Sequence, residues 1–227
     1  DQIMGQLQPV VVDTHAIGNP WLNYSVYLNN TILPGVLQLM IFLVTVFSIG
    51  TEIKYSTARQ WLQMGGNSWT TSLLGKLLPQ TVIFTLVALM CCAALYGFNA
   101  FPLNSGWMPM ISAMILLVLA SQAVGVFMIG VLPTLRLGLS FASLFGMIAF
   151  SIVGFSFPVL GMDPTLQALS DLFPLRHYFL IYVDQALNGR DLFYSWSEYV
   201  WLAGFLILPF LIGKNLKNAL LYFKYIP

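Results

Sequence analysis

The fold of this chain is decided by one continuous stretch, residues 32–76. Residues 32–50 read ILPGVLQLMIFLVTVFSIG and contain no charged side chain. Residues 51–76 follow at once and read TEIKYSTARQWLQMGGNSWTTSLLGK, with three cations, one acid and many amides and hydroxyls. A helix needs roughly 20 apolar residues to cross the hydrocarbon core of a bilayer. The first part is therefore expected to cross a membrane and the second to lie outside it.

The composition of the whole chain agrees with a membrane protein. Of the 227 residues, 58% are hydrophobic and only 7% are charged, and the mean hydropathy is +0.81. This leaves too little polar surface to cover a soluble globule of this size. We therefore expect an all-α integral membrane protein with five transmembrane helices at about 32–50, 77–96, 109–131, 140–160 and 196–213. The first four are free of charge, and the last extends a charge-free run that begins at about 199 back to Trp196.

The distribution of charge predicts the orientation of these spans. Seven of the nine Lys and Arg residues fall in three stretches, which alternate with stretches that hold seven of the eight acids. The basic stretches contain Lys54, Arg59 and Lys76, then Arg136, then Lys214, Lys217 and Lys224. The positive-inside rule places them in the cytoplasm together with the C-terminus. Five spans then require an external N-terminus, so we expect an earlier transmembrane helix upstream of Asp1.

This orientation divides the chain into an external end and a membrane domain. Residues 1–31 are polar and are expected to end an external, periplasmic domain, and residues 32–227 form the transmembrane domain. Residues 161–195 return outside, where Asp163-Pro164 and Pro174 are typical of helix starts and Asn188-Gly189 of a helix end. Two short amphipathic helices are therefore expected before the last span.

Residues 51–76 are expected to contain an amphipathic helix on the cytoplasmic surface. Ile53, Thr57, Trp61 and Leu62 recur near helical spacing, and the residues between them are mostly polar. Gly65-Gly66-Asn67 then breaks this helix before the next span.

Small residues in the fourth span predict close helix packing. Gly138, Ala142 and Gly146 lie four residues apart, and Gly154 follows two turns beyond Gly146. Such spacing lets helix backbones approach each other in a membrane. We expect the fourth span to be central, with the stripe used either for packing within the chain or for a dimer interface.

Apart from Glu198, which lies at the external start of the last span, the spans hold no acid, base or histidine that would make a proton relay or an ion-coupling site. Gln38 and Gln122 are the polar groups in these spans that cost the most free energy when they are left without a hydrogen-bond partner. Each is expected either to bond a neighbouring helix or to contact a substrate. Cys91 and Cys92 are adjacent within a span and are expected to pack rather than to form a disulfide.

Catalytic and nucleotide sites are not predicted. The two histidines, His15 and His177, are far apart in sequence, and no His/Cys/Asp cluster has the spacing of metal ligands. Gly75-Lys76 resembles the end of a phosphate loop, but Thr70 and Leu77 stand where that loop needs glycine and Ser/Thr. No Lys/Arg stripe with interleaved aromatics predicts a nucleic-acid partner.

Read in order, several motifs resemble the membrane subunit of type-2 ATP-binding-cassette (ABC) exporters. They are NPWLNY at 19–24, LPG at 33–35, EIKYSTARQWL at 52–62, LGKL at 74–77, and Phe157-Pro158, Met162-Asp163-Pro164, Phe173-Pro174 and Asn188-Gly189. Ser56 departs from this family, which usually has glycine before Thr57. The resemblance implies a six-helix permease, of which this chain would hold five spans.

The resemblance also implies partners. The chain would pair with a second permease subunit, identical or similar, and with two cytoplasmic ABC ATPase subunits in a bacterial inner membrane, with envelope adaptor proteins as further partners. It would hold no cofactor itself, and ATP and Mg would act in the ATPase. The ATPase contact would comprise Glu52, Thr57, Arg59, Gln60 and Trp61. Trp61 and the basic residues equally fit a membrane-surface anchor.

A substrate path would run along the first and fourth spans of this chain. Its candidate residues are Gln38, Met40, Phe42, Ser143 and Met147. So apolar a lining favours a lipid, an amphiphile or a hydrophobic drug over a sugar or an ion, although ordinary packing uses the same residues. The competing interpretations are a non-transporting scaffold for an envelope protein and an intramembrane enzyme.

Overall fold

The structure, a computed structural model, describes residues 24–155 and 157–222. In these residues the chain is entirely helical, and five helices are long and apolar enough to cross a membrane. They are Leu28–Lys54, Trp69–Phe98, Trp107–Val131, Leu135–Ile152 and Leu192–Tyr222. The prediction of an all-α membrane protein with five spans is therefore confirmed.

The helices follow one another with short connections. They are α1 (Tyr24–Lys54), α2 (Ala58–Met64), α3 (Trp69–Cys92), α4 (Trp107–Val131), α5 (Leu135–Ile152), α6 (Pro164–Ser170), α7 (Pro174–Ile181), α8 (Leu192–Gly204) and α9 (Leu208–Tyr222). Two helices continue as π-helical segments, α3 over Ala93–Phe98 and α7 over Tyr182–Leu187. One-turn 3₁₀ helices lie at Val159–Gly161 and Phe205–Ile207.

The bounds of the first and last spans differ from the predicted ones. α1 already begins at Tyr24, so residues 24–31 are continuous with the first helix. The strand proposed around Val10, like the rest of residues 1–23, lies outside the described residues. The last span is longer than predicted because α8 and α9 follow one another through a single 3₁₀ turn.

The third span, α4, is the centre of the bundle, and the expectation that the fourth span is central was wrong. In α4, 72% of the most apolar 18-residue stretch is buried, against 22% of the corresponding stretch in α5. α4 packs against α1, α3, α7, α8 and α9. Its small residues Ala113, Ala120, Ala123, Gly125 and Gly130 are all buried, so neighbours approach it from several sides.

The small residues of α5 lie on one face, which packs against α1. A Cβ on Gly138 would lie 2.9 Å from Cγ1 of Val46, and a Cβ on Gly146 would lie 2.5 Å from Cδ1 of Leu39. Ala142 is buried on the same face. Gly154 does not belong to it, since it follows the end of α5 in a left-handed turn (φ +113°).

The segment α6–α7 closes one end of the bundle. The carboxylate of Asp163 caps α6 by accepting the N–H of Thr165 at 2.9 Å, and this bond holds the pKa of that carboxyl below its usual value. Nη1 of Arg176 donates to the carbonyl of Val153 at the end of α5, 2.9 Å away. The ring of Phe173 stacks on Phe145 of α5 at 4.3 Å. These contacts fix the segment to the spans.

Candidate coupling site and transport face

The short helix α2 is held between two membrane helices by a group of four side chains. Glu52, at the end of α1, forms an ion pair with Lys76 of α3 and accepts a hydrogen bond from the hydroxyl of Thr57. The ammonium of Lys76 also lies over the ring of Trp61 in α2, 4.9 Å from its centroid. We call these four residues the bracket; it joins α1, α2 and α3.

Local sequence explains why the chain turns sharply into and out of α2. Ser56 adopts a left-handed conformation (φ +59°), which lets the N–H of Thr57 bond back to the carbonyl of Glu52 at 3.1 Å. At the other end Asn67 is left-handed (φ +60°), and its N–H bonds to the carbonyl of Leu62 at 2.8 Å. Ser, Asn and Gly tolerate such turns better than β-branched residues do.

α2 is amphipathic but shorter than the predicted helix, because Ile53 of the predicted apolar positions lies in α1 and Thr57 precedes α2. Ala58 and Leu62 are buried, and they belong to the same apolar cluster as Leu216 and Leu220 of α9. Ser72 of α3 supports the other side by donating to the carbonyl of Trp61 at 3.4 Å. The helix is therefore fixed on three sides by α1, α3 and α9.

The predicted ATPase-contact residues divide into two groups. Glu52, Thr57 and Trp61 belong to the bracket, where they are partly buried and bonded within the chain. Arg59 and Gln60 are exposed on α2. Met64, which the sequence did not single out, is 83% exposed beside them. Arg59, Gln60 and Met64 are thus the exposed part of this site.

Lys76 is the residue of the bracket that the sequence analysis did not single out. It lies 24 residues after Glu52 in the chain, and its mostly buried side chain meets that acid only after α2 folds back. The available signal was that Glu52 is the one acid on the basic side of the predicted topology. An acid in such surroundings finds a cation as its partner.

The candidate path residues of α1 and α5 do not all face the same way. Met40 and Met147 are exposed, by 48% and 59%, on the outside of the helix pair. Ser143 is half-buried in a groove of about 540 Å³ between α1 and α5, whose other lining residues are Leu43, Val44, Phe47, Leu139 and Ser140. Gln38 and Phe42 are fully buried and face the interior of the bundle instead.

Polar side chains connect three spans inside the bundle. The hydroxyl of Thr81 in α3 donates to Oε1 of Gln122 in α4 at 2.8 Å, and Thr45 of α1 reaches Gln80 of α3 at 3.5 Å. Gln122 therefore bonds a neighbouring helix. Gln38 is different, because neither atom of its amide has a hydrogen-bond partner among the described residues.

Metal-binding side chains do not cluster in the described part of the chain. In residues 24–155 and 157–222 no three His, Cys, Asp or Glu side chains are placed to hold a metal ion. Cys91 and Cys92 are free thiols, half-buried and buried respectively.

Comparison with known proteins gives one result. The family model described as "ABC-2 family transporter protein" matches residues 2–213, which is nearly the whole chain. No curated protein and no solved structure matches the chain significantly.

Proposed function

This chain belongs to the ABC-2 transporter family, and we propose that it is the permease subunit of an ATP-driven exporter. Membership of the family makes it a membrane permease subunit that works with an ABC ATPase. The proposed substrate is lipid-like, amphiphilic or a hydrophobic drug. The proposed location is a bacterial inner membrane, with α2 and the C-terminus in the cytoplasm and ATP hydrolysis in the separate ATPase subunit.

The bracket is the observation that carries this proposal. A subunit that receives force from an ATPase needs a stiff element at the membrane surface, joined directly to the spans that move. α2 has this character, since Glu52 and Lys76 connect the ends of two spans beneath it and Trp61 packs against Lys76. In this proposal the ATPase contacts Arg59, Gln60 and Met64, and the bracket passes the movement to α1 and α3.

The second permease half is proposed to pack against α1 and α5. These helices present exposed apolar side chains along one side of the molecule: Val36, Met40, Val44, Phe47, Leu137, Phe141, Leu144 and Met147. A groove between them holds the hydroxyl-bearing Ser140 and Ser143. An apolar face with a few hydroxyls fits an amphiphilic substrate better than a sugar or an ion.

Lys76→Met tests the bracket, with Lys54→Met as the matched control. Lys76 pairs with Glu52, whereas Lys54 is exposed and lies over Tyr55 at 5.3 Å, outside the bracket. The full complex would be reconstituted in liposomes, and ATP hydrolysis and substrate export would be measured at equal amounts of folded protein. We expect Lys76→Met to lose most export per ATP hydrolysed and Lys54→Met to keep it.

Two outcomes would contradict the proposal. Wild-type coupling in Lys76→Met would show that the bracket does not transmit force. Purification of the full chain from its host with an envelope protein and without an ATPase would favour the scaffold function. The charge-reversed pair Glu52→Lys with Lys76→Glu guards against a folding defect, because it restores the ion pair and should recover part of the coupling.

A further inference from the structure

A cavity between α2 and the end of α9 is lined by cations and amides. Its volume is about 290 Å³, and its lining residues are Arg59, Leu62, Gln63, Asn67, Lys217 and Leu221. We call it the basic cavity. Four of these six side chains carry hydrogen-bond donors, and none is a carboxylate.

The two cations of the basic cavity have no acidic partner in the described part of the chain. Neither Arg59 nor Lys217 takes part in an ion pair within residues 24–155 and 157–222. The nearest acid in sequence, Glu52, is already bonded to Lys76 and Thr57. Two positive charges that share a small cavity repel each other, so an anion placed between them would be stabilised.

We propose that the basic cavity binds the phosphate of an anionic membrane lipid. Arg and Lys together with amide N–H groups are a donor set that fits phosphate, and cationic pockets between transmembrane helices on the cytoplasmic side bind lipid headgroups. Leu62 and Leu221 provide an apolar wall for the glycerol and the start of an acyl chain. An adjoining cavity of about 410 Å³ shares Arg59 and Leu221 and adds the apolar side chains Ile53, Ala58 and Leu220.

Burial distinguishes Lys217 from the other basic residues on this surface. Lys54, Arg59, Arg136 and Lys214 are all exposed. Lys217 is half-buried and lies one helical turn beyond Lys214 on α9. Its position beside α2 places a bound lipid against the helix that we propose receives force from the ATPase.

The test compares Lys217→Gln with Lys214→Gln in the purified full chain. Binding of phosphatidylglycerol and of phosphatidylcholine would be followed by native mass spectrometry and by the shift in thermal unfolding. We expect phosphatidylglycerol to bind and to stabilise the wild type and Lys214→Gln. Lys217→Gln should bind it about fivefold more weakly, and the double variant with Arg59→Gln about 25-fold more weakly.

Asn67→Asp provides a second test that retains both cations. It places a carboxylate in the basic cavity, and Asp tolerates the left-handed conformation of this position. Asn215→Asp, on the exposed surface of α9, is its control. We expect only Asn67→Asp to weaken binding of phosphatidylglycerol.

Three results would overturn the proposal. Equal binding of phosphatidylglycerol to the wild type, Lys217→Gln and Asn67→Asp would show that the lipid binds elsewhere. Inorganic phosphate that reproduced the stabilisation at the same concentration, and lost it in Lys217→Gln, would make this a site for free phosphate. Weaker association with the ATPase and unchanged lipid binding in Lys217→Gln would make the cavity part of the protein interface. Loss of lipid binding leaves the exporter proposal intact, since the bracket is tested separately.

Discussion

Replacing Gln38 by methionine should stabilise the folded chain. Gln38 is 0% exposed, and neither its amide nitrogen nor its amide oxygen has a hydrogen-bond partner among the described residues. A buried polar group without a partner costs about 1–3 kcal/mol. Methionine is unbranched, fills irregular space and has no polar group that needs a strong partner. We therefore expect the free energy of unfolding to rise by about 1–3 kcal/mol.

Gln122→Met is the matched control and should have the opposite effect. Gln122 is also buried in a span, but it accepts the hydroxyl of Thr81 at 2.8 Å and lies 3.5 Å from the carbonyl of Leu77. Interhelical hydrogen bonds in membranes contribute about 0.6–1.7 kcal/mol each. The same chemical change should therefore lower the free energy of unfolding by about 1 kcal/mol.

The assay is reversible unfolding of both variants in mixed micelles of dodecyl maltoside and dodecyl sulfate, followed by tryptophan fluorescence. Both variants replace Gln by Met, so the effect of the change on the denatured state is similar in the two. The sign of the change in the free energy of unfolding therefore distinguishes the two positions. If Gln38→Met destabilised the chain as much as Gln122→Met, the amide of Gln38 would have to be bonded in the folded protein. An unpaired amide would then not exist at this position, and the expected stabilisation would have no physical basis.

The same variant also connects stability with the proposed function. A polar group that destabilises the fold is often retained because the function needs it. If α1 moves against its neighbours during transport, the amide of Gln38 has its partner in another conformation or on the substrate. Gln38→Met should then be more stable and export less, as measured in the liposome assay.

Two further changes should alter stability in the same unfolding assay. Ser56→Gly should stabilise the chain by about 0.5–1 kcal/mol, because the left-handed conformation at φ +59° costs a non-glycine residue about 1–2 kcal/mol and glycine costs part of this in chain entropy; an unchanged or lower stability would contradict this. Gly138→Ala should destabilise by about 1–3 kcal/mol, since its Cβ would lie 2.9 Å from Cγ1 of the fully buried, β-branched Val46. Gly75→Ala, with no atom within 4 Å of its Cβ, should instead stabilise by up to about 1 kcal/mol, and equal effects of the two alanines would contradict the packing argument.

The spans could be predicted from sequence because length and the absence of charge are sufficient to define them. Their arrangement could not. Both α4 and α5 contain small residues. The regular spacing of Gly138, Ala142 and Gly146 predicted that α5, rather than α4, is the central helix. In α4 the small residues, such as Ala113, Gly125 and Gly130, do not form one stripe, so this helix is surrounded on several sides. A search for a single stripe misses a helix with several packed faces.

The candidate site shows the same limit at the level of single side chains. Gln38 and Gln122 have the same chemistry and similar surroundings in sequence, yet one is bonded and the other is not. Pairing depends on which residue of a neighbouring helix lies opposite. At Ser56, in contrast, the sequence did carry a signal. The family that the chain resembles usually has glycine here, and glycine readily adopts the left-handed conformation that the structure has at this position.

The contacts between α2, α1 and α5 also indicate how a push on α2 would reach the proposed transport face. The bracket fixes α2 to the end of α1, and α1 packs against α5 where Gly138 and Gly146 leave no room for a side chain. Closely packed interiors do not deform continuously, so a displaced helix moves together with what it touches. Movement of α2 would therefore shift α1 and α5 as a pair, and the groove between Val44 and Ser143 would keep its shape while its distance from the second permease half changes. In the proposed exporter, access would therefore alternate by separation of the two permease halves, and the groove of each half would keep its shape.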